Sequence, residues 1–255
     1  GIDGRVVGAG YQKVTTLFPA DAGAEQDPAE IWAATLVSCR SALTEARTSV
    51  QLQPADIAAV IISSQYSSVV PVDSDGEHLA NMVIWMDQRG SPARIKHVAG
   101  YPKRPDTPAD LARWLQIHGL APIGGGIALT HMRWFRYARP DVYERTAALL
   151  EPRDYLTMRF CGRATANQCT AFMSLTIDNR TLGATEYHSQ LVEQSLIDRD
   201  KLPDLVPVGA ELGKVLPDVA AKLGLSDSTL VLSGCNDTQA GAIAAGAFQG
   251  THAGV

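Results

Sequence analysis

The sequence predicts an α/β fold with a mixed sheet, and three observations predict it. Short apolar, β-branched runs alternate with segments of helical period. One helix start is unusually complete: Asp27-Pro28-Ala29-Glu30 offers a capping carboxylate, a proline for the first helical position and a glutamate to close a capping box. Far downstream, an apolar strand over Thr229 to Leu232 runs through a turn, Ser233-Gly234-Cys235-Asn236-Asp237, into an Ala/Gly-rich helix from Thr238 to Ala247.

In chain order, Asp3-Gly4 reads as a turn into a strand over Val6 to Thr16. The helix that starts at Asp27 carries Ile31, Leu36, Cys39 and Leu43 at near-helical spacing and should run to about Arg47. Ile57 to Ile62 reads as a buried strand. Val69 to Val72 and Met82 to Met86 read as a hairpin about the turn Asp73-Ser74-Asp75-Gly76. Helices are expected over Arg89 to Val98, Thr107 to His118 and Thr130 to Ala138, the last stopped by Pro140. Gly124-Gly125-Gly126 is a plain loop. Short helices follow around Val142 and Tyr155, then one over Glu186 to Gln194, and Lys201 to Gly213 is a proline-punctuated connector.

Composition narrows the function. The 255 residues carry a net charge of −5, which argues against a protein that grips a nucleic-acid backbone. No apolar run approaches the roughly 20 residues of a membrane helix, and no basic-then-apolar leader is present. Cys39, Cys161, Cys169 and Cys235 are scattered, as suits a reducing cytoplasm; a Cys161–Cys169 disulfide is allowed by spacing but is the minor reading. The histidines form no ligand pair, so no metal ligands are assigned. There is no phosphate loop of the G-x-x-x-x-G-K type and no G-x-S-x-G elbow, and Gly8-Ala9-Gly10 lacks the context of a dinucleotide site.

Three segments carry chemistry. Asp237 sits where a strand meets a helix start, where ligands of open α/β sheets bind and where the helix dipole favours an anion. Such a carboxylate can take a proton from a substrate hydroxyl; the plainer reading is a helix cap. In Ile84-Trp85-Met86-Asp87-Gln88-Arg89, a strand would put Trp85, Asp87 and Arg89 on one face, a surface suited to a polyol; the plainer reading is a buried tryptophan beside an ion pair. Ser63-Ser64-Gln65-Tyr66-Ser67-Ser68 joins two apolar strands with six hydrogen-bonding side chains, which a hydroxyl-rich ligand or bulk water would satisfy.

These segments, in this order, resemble the FGGY family of carbohydrate kinases, with xylulokinases the nearest subgroup. Glu25-Gln26-Asp27-Pro28 with Trp32 resembles the family's E-Q-D-P helix start, and Ser64-Gln65-Tyr66 stands at its sugar-contact segment. Trp85-Met86-Asp87-Gln88-Arg89 is similar to W-x-D-x-R. His131 to Phe135 resembles K-L-x-W-L, with His131 in place of lysine, and Glu151 to Leu156 resembles P-x-D-Y-L. Gly234-Cys235-Asn236-Asp237 resembles G-x-x-D. The resemblance implies a ribonuclease-H-like (actin/hexokinase-type) domain with helices flanking a mixed central sheet. It implies transfer of the γ-phosphate of ATP, with Mg²⁺, to a ketose or polyol, a pentulose such as xylulose favoured. Asp237 would be the base. Gln65, Tyr66, Ser67, Trp85, Asp87, Arg89, Asn236 and Thr238 would bind the sugar. Tyr66-Ser67 replaces the subgroup's usual Met-His. The family's opening D-x-G-T is not matched at Asp3, and Gly250 to Val255 resembles the start of its ATP-binding domain. The expectation is therefore a sugar-binding domain over 1–249 without its first hairpin, 250–255 opening a nucleotide domain, and no ATP turnover by this chain alone. A cytoplasmic enzyme, a homodimer in its full-length form, fits the resemblance. The alternative is a non-catalytic or degenerate sugar-binding module.

Overall fold

A computed structural model describes residues 4–103 and 105–247. Asp3, the boundary expected at 249/250 and the segment 250–255 lie outside the described residues. The first difference from expectation comes at once, because Val6 to Thr16 forms no strand. It runs along the helix α1 (Pro28–Val50), whose side chains satisfy its backbone: Glu45 accepts from the Ala9 N–H (2.9 Å), Glu30 from the Thr15 N–H (3.1 Å). Only Leu17 makes a bridge, to Glu25. Glu30 is thereby used elsewhere and closes no capping box. Asp27 alone caps α1, accepting from the Ala29 N–H at 2.8 Å.

Ahead of α1 lies β1 (Glu25–Gln26), and after it come β2 (Ala59–Ser64), β3 (Val70–Val72) and β4 (Met82–Val83). The expected hairpin is reduced to bridges, Val69 to Val83 and Val72 to His78, about the Asp73–Gly76 turn. The fuller ladders are β4 with β1, and β3 with β5 (Ala148–Leu150), a strand the sequence reading passed over. Between β4 and β5 lie α2 (Pro92–Ile95), shorter than expected, α3 (Pro108–Ile117), closed by a Thr107–Asp110 capping box, α4 (Ala128–Ala138) and α5 (Pro140–Arg145). Then come α6 (Pro152–Cys161), β6 (Thr165–Ala166), α7 (Ser189–Ser195) and β7 (Asp204–Leu205), which pairs with β6. The expected connector thus contains β7 and runs into β8 (Glu211–Lys214), followed by α8 (Pro217–Leu223), β9 (Leu230–Asn236) and α9 (Asp237–Ala244). All four cysteines are free. No helix among the described residues is long and apolar enough to cross a membrane.

The sheet that matters for the site is mixed and has the order β2-β9-β8, with β2 parallel and β8 antiparallel to β9. β2 lies at its edge with Ile61 63% exposed, so it is not the fully buried strand its apolar run suggested. One face is covered by α1, α6 and α8 through Leu36, Phe160, Val219, Leu223 and Val231. A second core, with Trp114, Leu129, Met132 and Phe135, joins α3 and α4 to β4 and β5 through Val83 and Leu149.

β9 runs straight through Ser233 to Asn236 rather than turning at Ser233. The β2–β9 register slips between Ile61 and Ser63, and there Gly234 passes so close that an added Cβ would lie 1.9 Å from the Ile62 carbonyl oxygen. Gly234→Val should therefore force the two backbones apart and cost about 1–3 kcal/mol. A thermal midpoint equal to the wild type's would contradict this packing.

Candidate functional site

The parallel pairing of β2 and β9 brings two of the singled-out segments to one edge. Ser64 stands opposite Asn236, so Gln65 and Asp237 leave adjacent strands at their carboxyl ends. Asn236 is fully buried and is the cap of α9: its Oδ1 accepts from the Gln239 N–H (3.0 Å), and its Nδ2 donates to the Cys169 carbonyl (3.0 Å). The capping role is thus filled by Asn236. Asp237 is the first helical residue, exposed, with Oδ1 accepting from the N–H of the exposed Thr238 at 2.8 Å. Behind the strand, Asn167 Nδ2 donates to the Gly234 carbonyl at 2.7 Å and Arg153 Nη2 to Ser233 Oγ at 3.2 Å, which fixes the approach to Asp237. Among the described residues the glycines of α9 pack on nothing: a Cβ at Gly241 would meet no atom within 4 Å, and Gly246 lies past the helix end with φ +75°.

Across from Asp237, Gln65 Nε2 donates to Gln26 Oε1 at 2.7 Å. Tyr66 is half-buried. Ser67 and Ser68 are buried, and Ser67 holds a left-handed φ of 58°. The Ser68 N–H donates to Glu151 Oε2 at 3.0 Å.

The Trp85 segment differs from expectation. β4 ends at Val83, and the chain turns as the Asp87 N–H donates to the Ile84 carbonyl (2.8 Å), so Trp85, Asp87 and Arg89 share no strand face. The cause is local: Asp87 is 1% exposed and spends both oxygens on its own surroundings. Oδ2 accepts from the Ala24 N–H and Arg89 Nε, Oδ1 from the Arg89 N–H, each at 2.8 Å. Arg89 also donates to Glu25 Oε1 at 2.6 Å and stacks 4.0 Å above the Trp134 ring. Burial works against the charge of Arg89, but Asp87 and Glu25 outweigh it and raise its pKa. Asp87 and Arg89 build a frame, and Trp85 is left 53% exposed. The triple-glycine loop has a part here too: a Cβ at Gly126 would lie 2.5 Å from the Trp85 carbonyl oxygen.

These pieces form one polar rim: Asp237 beside Ser64 and Gln65, Gln65 on Gln26, and Glu25, next to Gln26 in the chain, on Arg89, which in turn pairs with Asp87. Buried ionisable groups lie beneath. Burial pushes the Glu151 carboxyl well up, against the backbone N–H groups of Ser68 and Ser67, and the charges of Asp154 and Asp237 push the same way. Burial likewise raises Asp154 to about 6, opposed by Arg153, whose Nε is 3.1 Å away but off the hydrogen-bond line. His131 is fully buried with no well-formed hydrogen bond to either ring nitrogen among the described residues, and burial, opposed by Asp87 and the Ser67 backbone, lowers it to about 4. Two clefts of about 550 and 580 Å³ lie away from the rim: one between Asp73–Glu77 and Asp218–Lys222, the other beside Tyr101 and Pro122.

Comparison with known proteins now decides the family. The model of the FGGY family of carbohydrate kinases, N-terminal domain, matches residues 2–244. The chain belongs to the FGGY family of carbohydrate kinases. It is 29% identical over 230 residues to the xylulose kinase of Bacillus subtilis, covering 90% of this chain and 43% of that protein. It is 28% identical over 250 residues to the xylulose kinase of Streptomyces rubiginosus, covering 97% and 47%. Among solved structures, the ligand-bound xylulose kinase of Lactobacillus acidophilus superposes with a TM-score of 0.76 at 18% identity, over 92% of this chain and 44% of the other. The fold is thus the actin/hexokinase-type one, and this FGGY chain spans about half the length of the curated relatives it matches.

FGGY kinases use ATP, typically with Mg²⁺. Among the described residues no group of three His, Cys, Asp or Glu side chains could hold a metal ion, and no glycine loop of phosphate-cradling pattern enters a helix. Two parts of the site escaped the sequence reading. Glu25 and Gln26 were quoted only as a helix start, and Glu151 only as a neighbour of the P-x-D-Y-L match. A buried glutamate gives no local signal, because its partner Ser68 is 83 residues away.

Proposed function

We propose that this chain supplies the sugar site and the general base of an ATP-dependent carbohydrate kinase. The substrate is a ketose or polyol, a pentulose such as xylulose first, in keeping with the names of several relatives. The reading is carried by one juxtaposition: an exposed Asp237 carboxylate and the Gln65–Ser67 segment emerge side by side at the carboxyl ends of two parallel strands. When bound, MgATP would supply the γ-phosphoryl group. Asp237 would take the proton of the attacking hydroxyl, whose oxygen bonds to the γ-phosphorus while the bond from that phosphorus to the bridging oxygen breaks and ADP leaves. Gln65, Tyr66 and Ser67 offer hydrogen bonds to the other hydroxyls, with Asn236 and Thr238 flanking the base. Trp85 presents an exposed ring to the sugar C–H face. Asp87 and Arg89 serve as the frame that aims Trp85.

Sugar binding tests this directly. Trp85→Ala should weaken D-xylulose binding by about 1–3 kcal/mol, because the ring's apolar contact is lost while the fold around Asp87 stays intact. Titration calorimetry reads the affinity, and tryptophan fluorescence of the unaltered chain should shift on binding. Unchanged affinity in the variant would reject Trp85 as a sugar contact.

A further inference from the structure

One residue of this site lies beneath the rim, at the start of α6. β3 pairs with β5 up to Val70 and Leu150. One step beyond the ladder the two chains part. One goes through Ser68 to the Gln65–Ser67 segment, the other through Glu151, the N-cap position of α6, into the helix. Glu151 is 4% exposed, and its Oε2 accepts from the Ser68 N–H across this gap at 3.0 Å. Its Oε1 has no hydrogen-bond partner among the described residues. A carboxyl group is costly to bury, and an apolar side chain of similar size would avoid the cost. Two residues on, Arg153 donates to Ser233 Oγ on the strand that delivers Asp237. The first turn of α6 therefore touches both halves of the site. The backbone it holds is strained at one point, because Ser67 keeps a left-handed φ without being glycine and needs its surroundings to fix it.

We propose that Glu151 is a positioning residue: through its bond to the Ser68 N–H it holds the Gln65–Ser68 segment in the shape that faces Asp237. The acceptor oxygen matters, not the charge. The segment's role as a sugar contact rests on the function proposed above, whereas the clamp itself does not.

The test compares Glu151→Gln, which keeps a carbonyl acceptor, with Glu151→Leu, which removes it. Hydrogen exchange read by mass spectrometry reports the clamp, and D-xylulose titration reports its consequence. Glu151→Leu should speed exchange over residues 65–70 and weaken D-xylulose binding, each about tenfold, while exchange elsewhere stays at wild-type rates. Glu151→Gln should restore both to within about threefold of wild type. Wild-type exchange and affinity in the leucine variant would overturn the proposal. So would faster exchange spread evenly over the chain, or a glutamine variant as loose as the leucine one. Should the unaltered chain bind no D-xylulose, the substrate reading falls, and the exchange comparison alone supports or overturns the clamp.

Discussion

Asp237→Asn, in a protein that joins this chain to its nucleotide-binding half, should lower turnover by about 10²–10⁴-fold while sugar affinity changes little. Asparagine is nearly isosteric and can still accept from the Thr238 N–H, as the Asp237 carboxylate does at 2.8 Å, so the helix start should survive. It cannot take a proton from a hydroxyl. Because Asn236 and not Asp237 caps α9, the variant should unfold at the wild-type temperature. A coupled ADP assay, with D-xylulose titrated against both proteins, separates the two effects. Turnover within a few-fold of wild type would remove Asp237 from the role of base.

Asp87→Ala should have the largest effect on stability. Its carboxylate is the buried acceptor for the Ala24 N–H, the Arg89 N–H and Arg89 Nε, and its loss leaves these donors unsatisfied with Glu25 as the remaining partner of the guanidinium. Breaking a buried pair in this way costs about 3–5 kcal/mol. For a chain of this length that is a fall of about 6–20 °C in thermal midpoint. A fall of a degree or two would show that the frame under Trp85 is held by something else.

How much of this was legible in the sequence follows from the range of the interactions. The start of α1 was, because its signal lies within four residues, Asp27 to Glu30, and Asp27 does cap it. The capping box was not, because Glu30 was claimed by Thr15 on a segment outside the helix. Strand pairing was misjudged where partners are far apart: β3 takes β5, some 78 residues on, in preference to its hairpin neighbour. In the site, Gln65 and Asp237 were legible as polar residues at strand ends. Their adjacency needs the β2–β9 pairing, which joins residues more than 170 positions apart. The period-two reading of Trp85, Asp87 and Arg89 failed because a buried aspartate accepting backbone N–H groups ends a strand as firmly as a glycine would. That preference shows only once Ala24 is seen beside it.

The most direct test of the central claim is a crystal structure of this chain with D-xylulose bound. The expected result places the sugar at the carboxyl ends of β2 and β9, one hydroxyl within hydrogen-bond distance of the Asp237 carboxylate, others on the Gln65–Ser67 segment, and the Trp85 ring against its carbons. Sugar seated instead in the cleft between Asp73–Glu77 and Lys222, with the Asp237 rim left bare at saturating concentration, would contradict the account.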